Sequence, residues 1–147
     1  MSSKSSSVED LDYSTIRILV AEDNPVNMRL ATTFLRRLGV QVVDKAEDGN
    51  VAIQRMQERE YDLCFMDIHM PHCDGIEAAR RAQDPRVVPP EHLPRIVAMT
   101  ASVQEQDVRD SRRAGMQGYI TKPASVADFD GVLRPLVAAR ARNASGR

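Results

Sequence analysis

The sequence has no tryptophan, and aromatic residues make up only 4% of it. It has two cysteines, Cys64 and Cys73, among 147 residues. Two cysteines build neither a disulfide framework nor a four-cysteine zinc site, so both are read as reduced thiols. No apolar run approaches the roughly 18 residues that a bilayer crossing needs. The N-terminal MSSKSSSVED is serine-rich and has no apolar stretch of the secretory kind, so the cytoplasm, or the nucleus of a eukaryote, is the expected compartment. Neither sign of charge dominates: 20 basic and 21 acidic residues leave a net charge of -1, with no basic field to hold nucleic acid phosphates.

What is present suits one soluble domain. Apolar residues are 42% and charged residues 28% of the chain. A chain of this length removes about two thirds of its unfolded surface on folding and needs no staples. Residues 1–14 hold six serines and read as a flexible leader, 15–139 as the domain, and 140–147 as a basic tail.

Hydrophobic periodicity divides the domain into five strand-helix pairs. Ile16 to Ala21, Gln41 to Ala46, Asp62 to Asp67, Arg95 to Met99 and Gly118 to Ile120 are apolar or mixed runs that read as strands. Asn24-Pro25 opens the first helix, with Asn24 as cap and Pro25 where its missing N–H costs nothing, and Gly39 stops it. Asp48 starts a second helix, and a third spans Gly75 to Gln83. Residues 84–94 carry four prolines and read as a long loop. The pattern Ser102-x-x-Glu105 has the form of a capping box and begins a fourth helix, which Gly115 ends. That helix has only Val103 and Val108 as large apolar residues, a composition that suits either a weakly held switching element or a solvated surface helix. Ser125 caps the last helix, where Pro135 is expected to kink or break the path near Arg134.

Apolar strands alternating with amphipathic helices specify an α/β fold, a doubly wound parallel sheet of five strands covered on both faces. Sites on such sheets lie beyond the carboxyl ends of the strands. Glu22 and Asp23 follow the first strand, Asp67 ends the third, Thr100 follows the fourth, and Thr121, Lys122 and Pro123 follow the fifth. Three carboxylates, a hydroxyl and an ammonium are thus expected in one cleft. Carboxylates so close repel one another, and a hard divalent cation relieves the repulsion. A carboxylate nucleophile beside a metal, a lysine and a threonine has the parts of a phosphoryl-transfer site.

At these residues the sequence resembles a known family. ILVAEDNPVN, MDIHMPHCDG, IVAMTAS and GYITKP, in that order, are similar to the motifs of the receiver domain of two-component response regulators, above all those attached to hybrid histidine kinases. The resemblance covers roughly residues 15 to 139. It implies the flavodoxin-like (βα)5 fold with strand order 2-1-3-4-5. It implies that Asp67 accepts a phosphoryl group from a phosphohistidine. Glu22, Asp23, Asp67 and the backbone carbonyl of His69 would hold Mg2+ or Mn2+. Thr100, Ala101 and Lys122 would bind the phosphoryl oxygens, Thr100 and Tyr119 would switch together, and Lys122–Pro123 would be a cis peptide. The side chains of His69 and Ser102 lie where they would fence or orient an attacking water and so tune the lifetime. Partners implied are a histidine kinase dimerisation domain or a histidine phosphotransfer protein, and a homodimer through the fourth helix and fifth strand. Neither nucleic acid nor membrane is an expected partner of this domain.

Competing readings fail on particular residues. A phosphatase of the haloacid dehalogenase type needs Asp-x-Asp, and His69 stands two positions after Asp67. A flavin carrier needs a hydroxyl- and glycine-rich loop after the first strand, where this chain has the acidic EDNPVN. A receiver that only binds partners would have lost site residues, and none is missing. His69, His72 and Cys73 fall short of a recognised zinc spacing and read as the rim of the site.

Overall fold

The computed structural model describes residues 11–101 and 104–145. Five strands, β1 (Arg17–Ala21), β2 (Val42–Ala46), β3 (Leu63–Asp67), β4 (Arg95–Thr100) and β5 (Gly118–Thr121), form one parallel sheet in the order β2-β1-β3-β4-β5. Five helices alternate with them: α1 (Pro25–Arg37), α2 (Gly49–Glu58), α3 (Gly75–Ala82), α4 (Glu105–Arg113) and α5 (Val126–Ser145). The expected architecture and strand order are those observed.

Side chains of the central strands alternate between two cores. Ile18, Val20, Leu63, Phe65, Val97 and Met99 meet α1 and α5 through Met28, Leu35, Phe129 and Leu133. Phe129 stands edge-on to Phe65, with ring centroids 4.9 Å apart. Leu19, Ala21, Cys64, Met66, Ile96 and Ala98 meet α2 and α3 through Ala52, Ile53, Met56, Ala78 and Ala79. Burial on both faces is why β1 and β3 carry almost no polar residue before their last position.

Local chemistry sets the helix ends. The Asn24 side chain accepts hydrogen bonds from Val26 and Asn27 N–H, and that of Asp48 from Val51 N–H. Ser125 Oγ accepts from Asp128 N–H while the Asp128 carboxylate accepts from Ser125 N–H, a reciprocal cap on α5. Gly39 and Gly115 take φ of 103° and 97°, the left-handed conformation that closes α1 and α4. Ser102, the expected cap of α4, lies outside the described residues; the residue before α4 is Gln104, whose side chain makes no capping bond. Only Ser111 of α4 is buried, so this helix has the least hold on the sheet.

Three expectations need correction. Leu11 and Tyr13 are not part of a flexible leader: Tyr13 is only 4% exposed, Leu11 packs on the same core, and Tyr13 Oη donates to Asp130 on α5 at 2.5 Å, while residues 1–10 of the expected leader lie outside the described residues. Pro135 does not break the last helix, which runs through it to Ser145. Gly131 and Pro135 both face solvent, so the carbonyl that loses its N–H donor is open to water, while Leu133 and Val137 fasten the helix on either side. The tail boundary at 139 therefore falls inside α5. Two arginines of α5 are paired with acids: Arg134 with Asp130 at 3.1 Å, and Arg140 with Asp62.

Among the described residues no helix is long and apolar enough to cross a membrane.

Candidate functional site

The carboxyl ends of β1, β3, β4 and β5 carry the polar residues that the sequence singled out. β1 hands the chain to Glu22, whose N–H continues the sheet by donating to Ala46 carbonyl at 2.9 Å. Glu22 is 2% exposed and Asp67, the last residue of β3, 4% exposed. Asp23 is exposed at the mouth. Carboxylate oxygens of Glu22, Asp23 and Asp67 all lie within 4.8 Å of one another.

Lys122 reaches into this acidic pocket from the far edge. Its Nζ donates to Glu22 Oε1 at 3.1 Å and to Asp67 Oδ2 at 3.0 Å. The remaining oxygens meet backbone donors: Asn24 N–H to Glu22 Oε2 at 3.1 Å, and His69 N–H to Asp67 Oδ1 at 3.2 Å. The Lys122–Pro123 peptide is cis, and Lys122 N–H donates to Thr100 carbonyl at 2.7 Å.

The electrostatics are unequal. Burial, reinforced by the neighbouring charge of Asp67, pushes the Glu22 carboxyl above its ordinary range, against the pull of Asn24 N–H and Lys122. For Lys122 burial works against the charge, but its bonds to Asp67 and Glu22 outweigh it and hold the ammonium above its ordinary value. Three carboxylates facing one ammonium leave negative charge in excess. The donors are all hard oxygens, which fits a small divalent cation such as Mg2+.

The other expected residues fall around this centre. Thr100 ends β4 and is buried, and Ala101 follows it, exposed. The His69 side chain points to the surface, 3.9 Å from the Asp107 carboxylate on α4. Tyr119 lies on β5, the edge strand, and is 46% exposed. Ser102 is outside the described residues. Among the described residues, Glu22, Asp23 and Asp67 form the one acidic or thiol-imidazole group close enough to hold an ion; His69, His72 and Cys73 do not gather. Cys73 is buried and packs in the core beside α2 and α3.

Gly75 is a site residue that composition does not reveal. Its N–H donates to Ile68 carbonyl at 2.8 Å, and a methyl there would overlap the carbonyl of Asp67 itself. The start of α3 thus seats against the strand end that presents Asp67. An Asp-Gly pair at a helix start was the available signal, but it points equally to an ordinary cap.

The fold and this pocket define a class, the signalling receiver. The sequence profile of the response regulator receiver domain matches residues 18–134, and the chain belongs to that family. Histidine kinase 3 of Arabidopsis thaliana is 39% identical over 126 residues, covering 73% of this chain and 12% of that protein. The receiver domain of a Pseudomonas aeruginosa sensor histidine kinase, solved with magnesium in its active-site cleft, is 32% identical with a TM-score of 0.73, covering 84% of this chain and 98% of the other. The receiver domain of Ssk1 from Saccharomyces cerevisiae, co-crystallised with the histidine phosphotransfer protein Ypd1, is 30% identical with a TM-score of 0.71, covering 80% and 86%. The chain spans between 12% and 52% of the length of the first curated relatives it matches. It is a phosphoacceptor module of two-component signalling, similar to those of hybrid histidine kinases.

Proposed function

We propose that Asp67 accepts a phosphoryl group from a phosphohistidine, with Glu22, Asp23, Asp67 and the His69 carbonyl holding Mg2+, or Mn2+ in its place. The observation that carries this is the position of Asp67: a buried carboxylate at the end of the central strand, bridged by Lys122 and faced by the acidic pair. A carboxylate oxygen of Asp67 attacks phosphorus. The new O–P bond forms as the N–P bond breaks, and the electron pair returns to the imidazole nitrogen of the donor. Lys122 holds Asp67 in place beforehand and offsets charge on the phosphoryl oxygens afterwards. Thr100 and the backbone at Ala101 supply the remaining contacts to those oxygens. The cation, when bound, supplies neutralisation of the phosphoryl charge. The chain is an acceptor that assists its own loading and unloading rather than an enzyme acting on a separate substrate. Movement of Thr100 toward the phosphoryl group, with Tyr119 following, is the proposed switch, and α4 with β5 the proposed homodimer face.

The partner proposed is a histidine phosphotransfer protein or a kinase dimerisation domain, on the strength of the likeness to the Ssk1 receiver. A cytoplasmic or nuclear setting goes with it. A panel of phosphorylated histidine phosphotransfer proteins tests this directly. At least one should lose its label to this chain within seconds to minutes in Mg2+, and peptide mapping should place the label on Asp67. Transfer from none of them, with acetyl phosphate labelling intact, would remove the phosphorelay reading and keep the acceptor chemistry.

We propose that the His69 side chain, exposed beside Asp107 and two residues from Asp67, acts on the water that hydrolyses the acyl phosphate. His69→Ala should change the hydrolysis rate several-fold and the uptake rate less than twofold, both read from phosphoprotein gels. Equal changes in the two rates would show that His69 shapes the pocket as a whole.

A further inference from the structure

The loop between β3 and α3, residues 68–74, carries the His69 carbonyl, and its outer end is held by something outside the site. Cys73 N–H donates to Pro71 carbonyl at 2.6 Å, and His72 takes a φ of 67°, so the loop doubles back on itself. The carbonyl of Cys73 then accepts the N–H of Gly49 at 2.8 Å. Gly49 is the first residue of α2, where N–H groups have no partner within the helix. Arg81 Nη1 spans the same junction, 3.7 Å from Cys73 Sγ and 2.9 Å from Asn50 Oδ1.

No side chain fits at Gly49. A methyl built there lies 2.5 Å from the Cys73 carbonyl oxygen, 2.8 Å from its Sγ and 2.9 Å from Ala78 Cβ. Two of these neighbours are backbone or Cβ atoms of packed elements, so no rotation of a long side chain relieves the overlap. The loop, α2 or α3 must move. The loop is the one of the three without a helical ladder.

We propose that Gly49 is a positioning residue for the cation: the bare start of α2 clasps the Cys73 carbonyl and fixes the loop from which the His69 carbonyl reaches the metal. This rests on the metal site proposed above. Gly49 touches neither the acidic cluster nor Lys122, so it acts only through the loop. Outer-shell groups that orient ligands typically cost about 10- to 100-fold in metal affinity when lost.

Calorimetric titration of Mg2+ into the whole chain tests it. Gly49→Ala should raise the Mg2+ dissociation constant about tenfold. Cys73→Ala, which removes the thiol and keeps the carbonyl, should change it less than twofold. A role confined to stability would lower the melting temperature of metal-free Gly49→Ala and leave the dissociation constant of its folded fraction unchanged; that result overturns the proposal. No Mg2+ binding by the wild type overturns the site reading and the proposal with it. If Gly49→Ala fails to fold, amide exchange on the wild type decides. Mg2+ should slow exchange at Gly49 more than at Met56 in the middle of the same helix, because a cation on the loop steadies the acceptor of the Gly49 proton. Equal slowing at both positions refutes the coupling.

Discussion

Asp67→Asn is expected to reduce phosphoryl uptake from acetyl phosphate at least about a thousandfold, the scale on which a lost nucleophile acts. Wild type in millimolar Mg2+ should take up one acid-labile phosphoryl group, and EDTA should abolish it. The substitution is a conservative probe because it removes the nucleophilic charge while keeping the shape of the side chain and one of its two acceptors. The amide that replaces the carboxylate would keep an oxygen for one of the two donors now on Asp67, His69 N–H at 3.2 Å or Lys122 Nζ at 3.0 Å. Lys122→Ala is a poorer probe, since it would strand two buried carboxylates and cost about 3–5 kcal/mol in stability. Intact-mass measurement reads the outcome. Labelling of Asp67→Asn at the wild-type rate would transfer the acceptor role elsewhere, and Asp23 is the exposed carboxylate to which it would move.

The residues at the strand ends were readable in the sequence because each follows an apolar run at the edge where α/β folds place their sites. Their convergence needed only the strand count and order. What escaped was whatever depends on backbone approach. Gly75 and Gly49 look like unremarkable helix-start glycines until the loop of residues 68–74 is laid against them. Pro135 misled because the rule about prolines in helices ignores which side faces water. Here the unpaired carbonyl side is solvated and the buried side is anchored by Leu133 and Val137. Tyr13 misled because a serine-rich neighbourhood hid one residue with a specific partner, Asp130. In each case composition reported the average of a segment, and the structure turned on a single contact.

The charge of the pocket has a consequence for stability that the sequence placed on all three acids alike. Glu22 and Asp67 each accept from Lys122 and from one backbone N–H, yet for Glu22 burial and the charge of Asp67 outweigh those donors. Burial and the charge of Asp67 raise the folded-state pKa of Glu22 above the ordinary 4.5, so the native state binds this proton more tightly than the unfolded chain does. In EDTA, stability from this group is therefore lost as pH rises from about 4.5 through the raised value, and the penalty stays constant above it. Glu22→Gln has no such proton. Wild type should lose stability relative to Glu22→Gln across that window when both are unfolded by urea in EDTA. A cation that binds only the assembled site reverses the order. At a hundred times its dissociation constant Mg2+ should add about 2.7 kcal/mol to wild type at neutral pH. The same Mg2+ concentration should add much less to Glu22→Gln, which lacks one ligand charge. Urea curves at several pH values, with and without Mg2+, separate the two effects. Wild type gaining on the variant as pH rises in EDTA would mean that Lys122 more than neutralises Glu22, and the excess negative charge argued for this pocket would not exist.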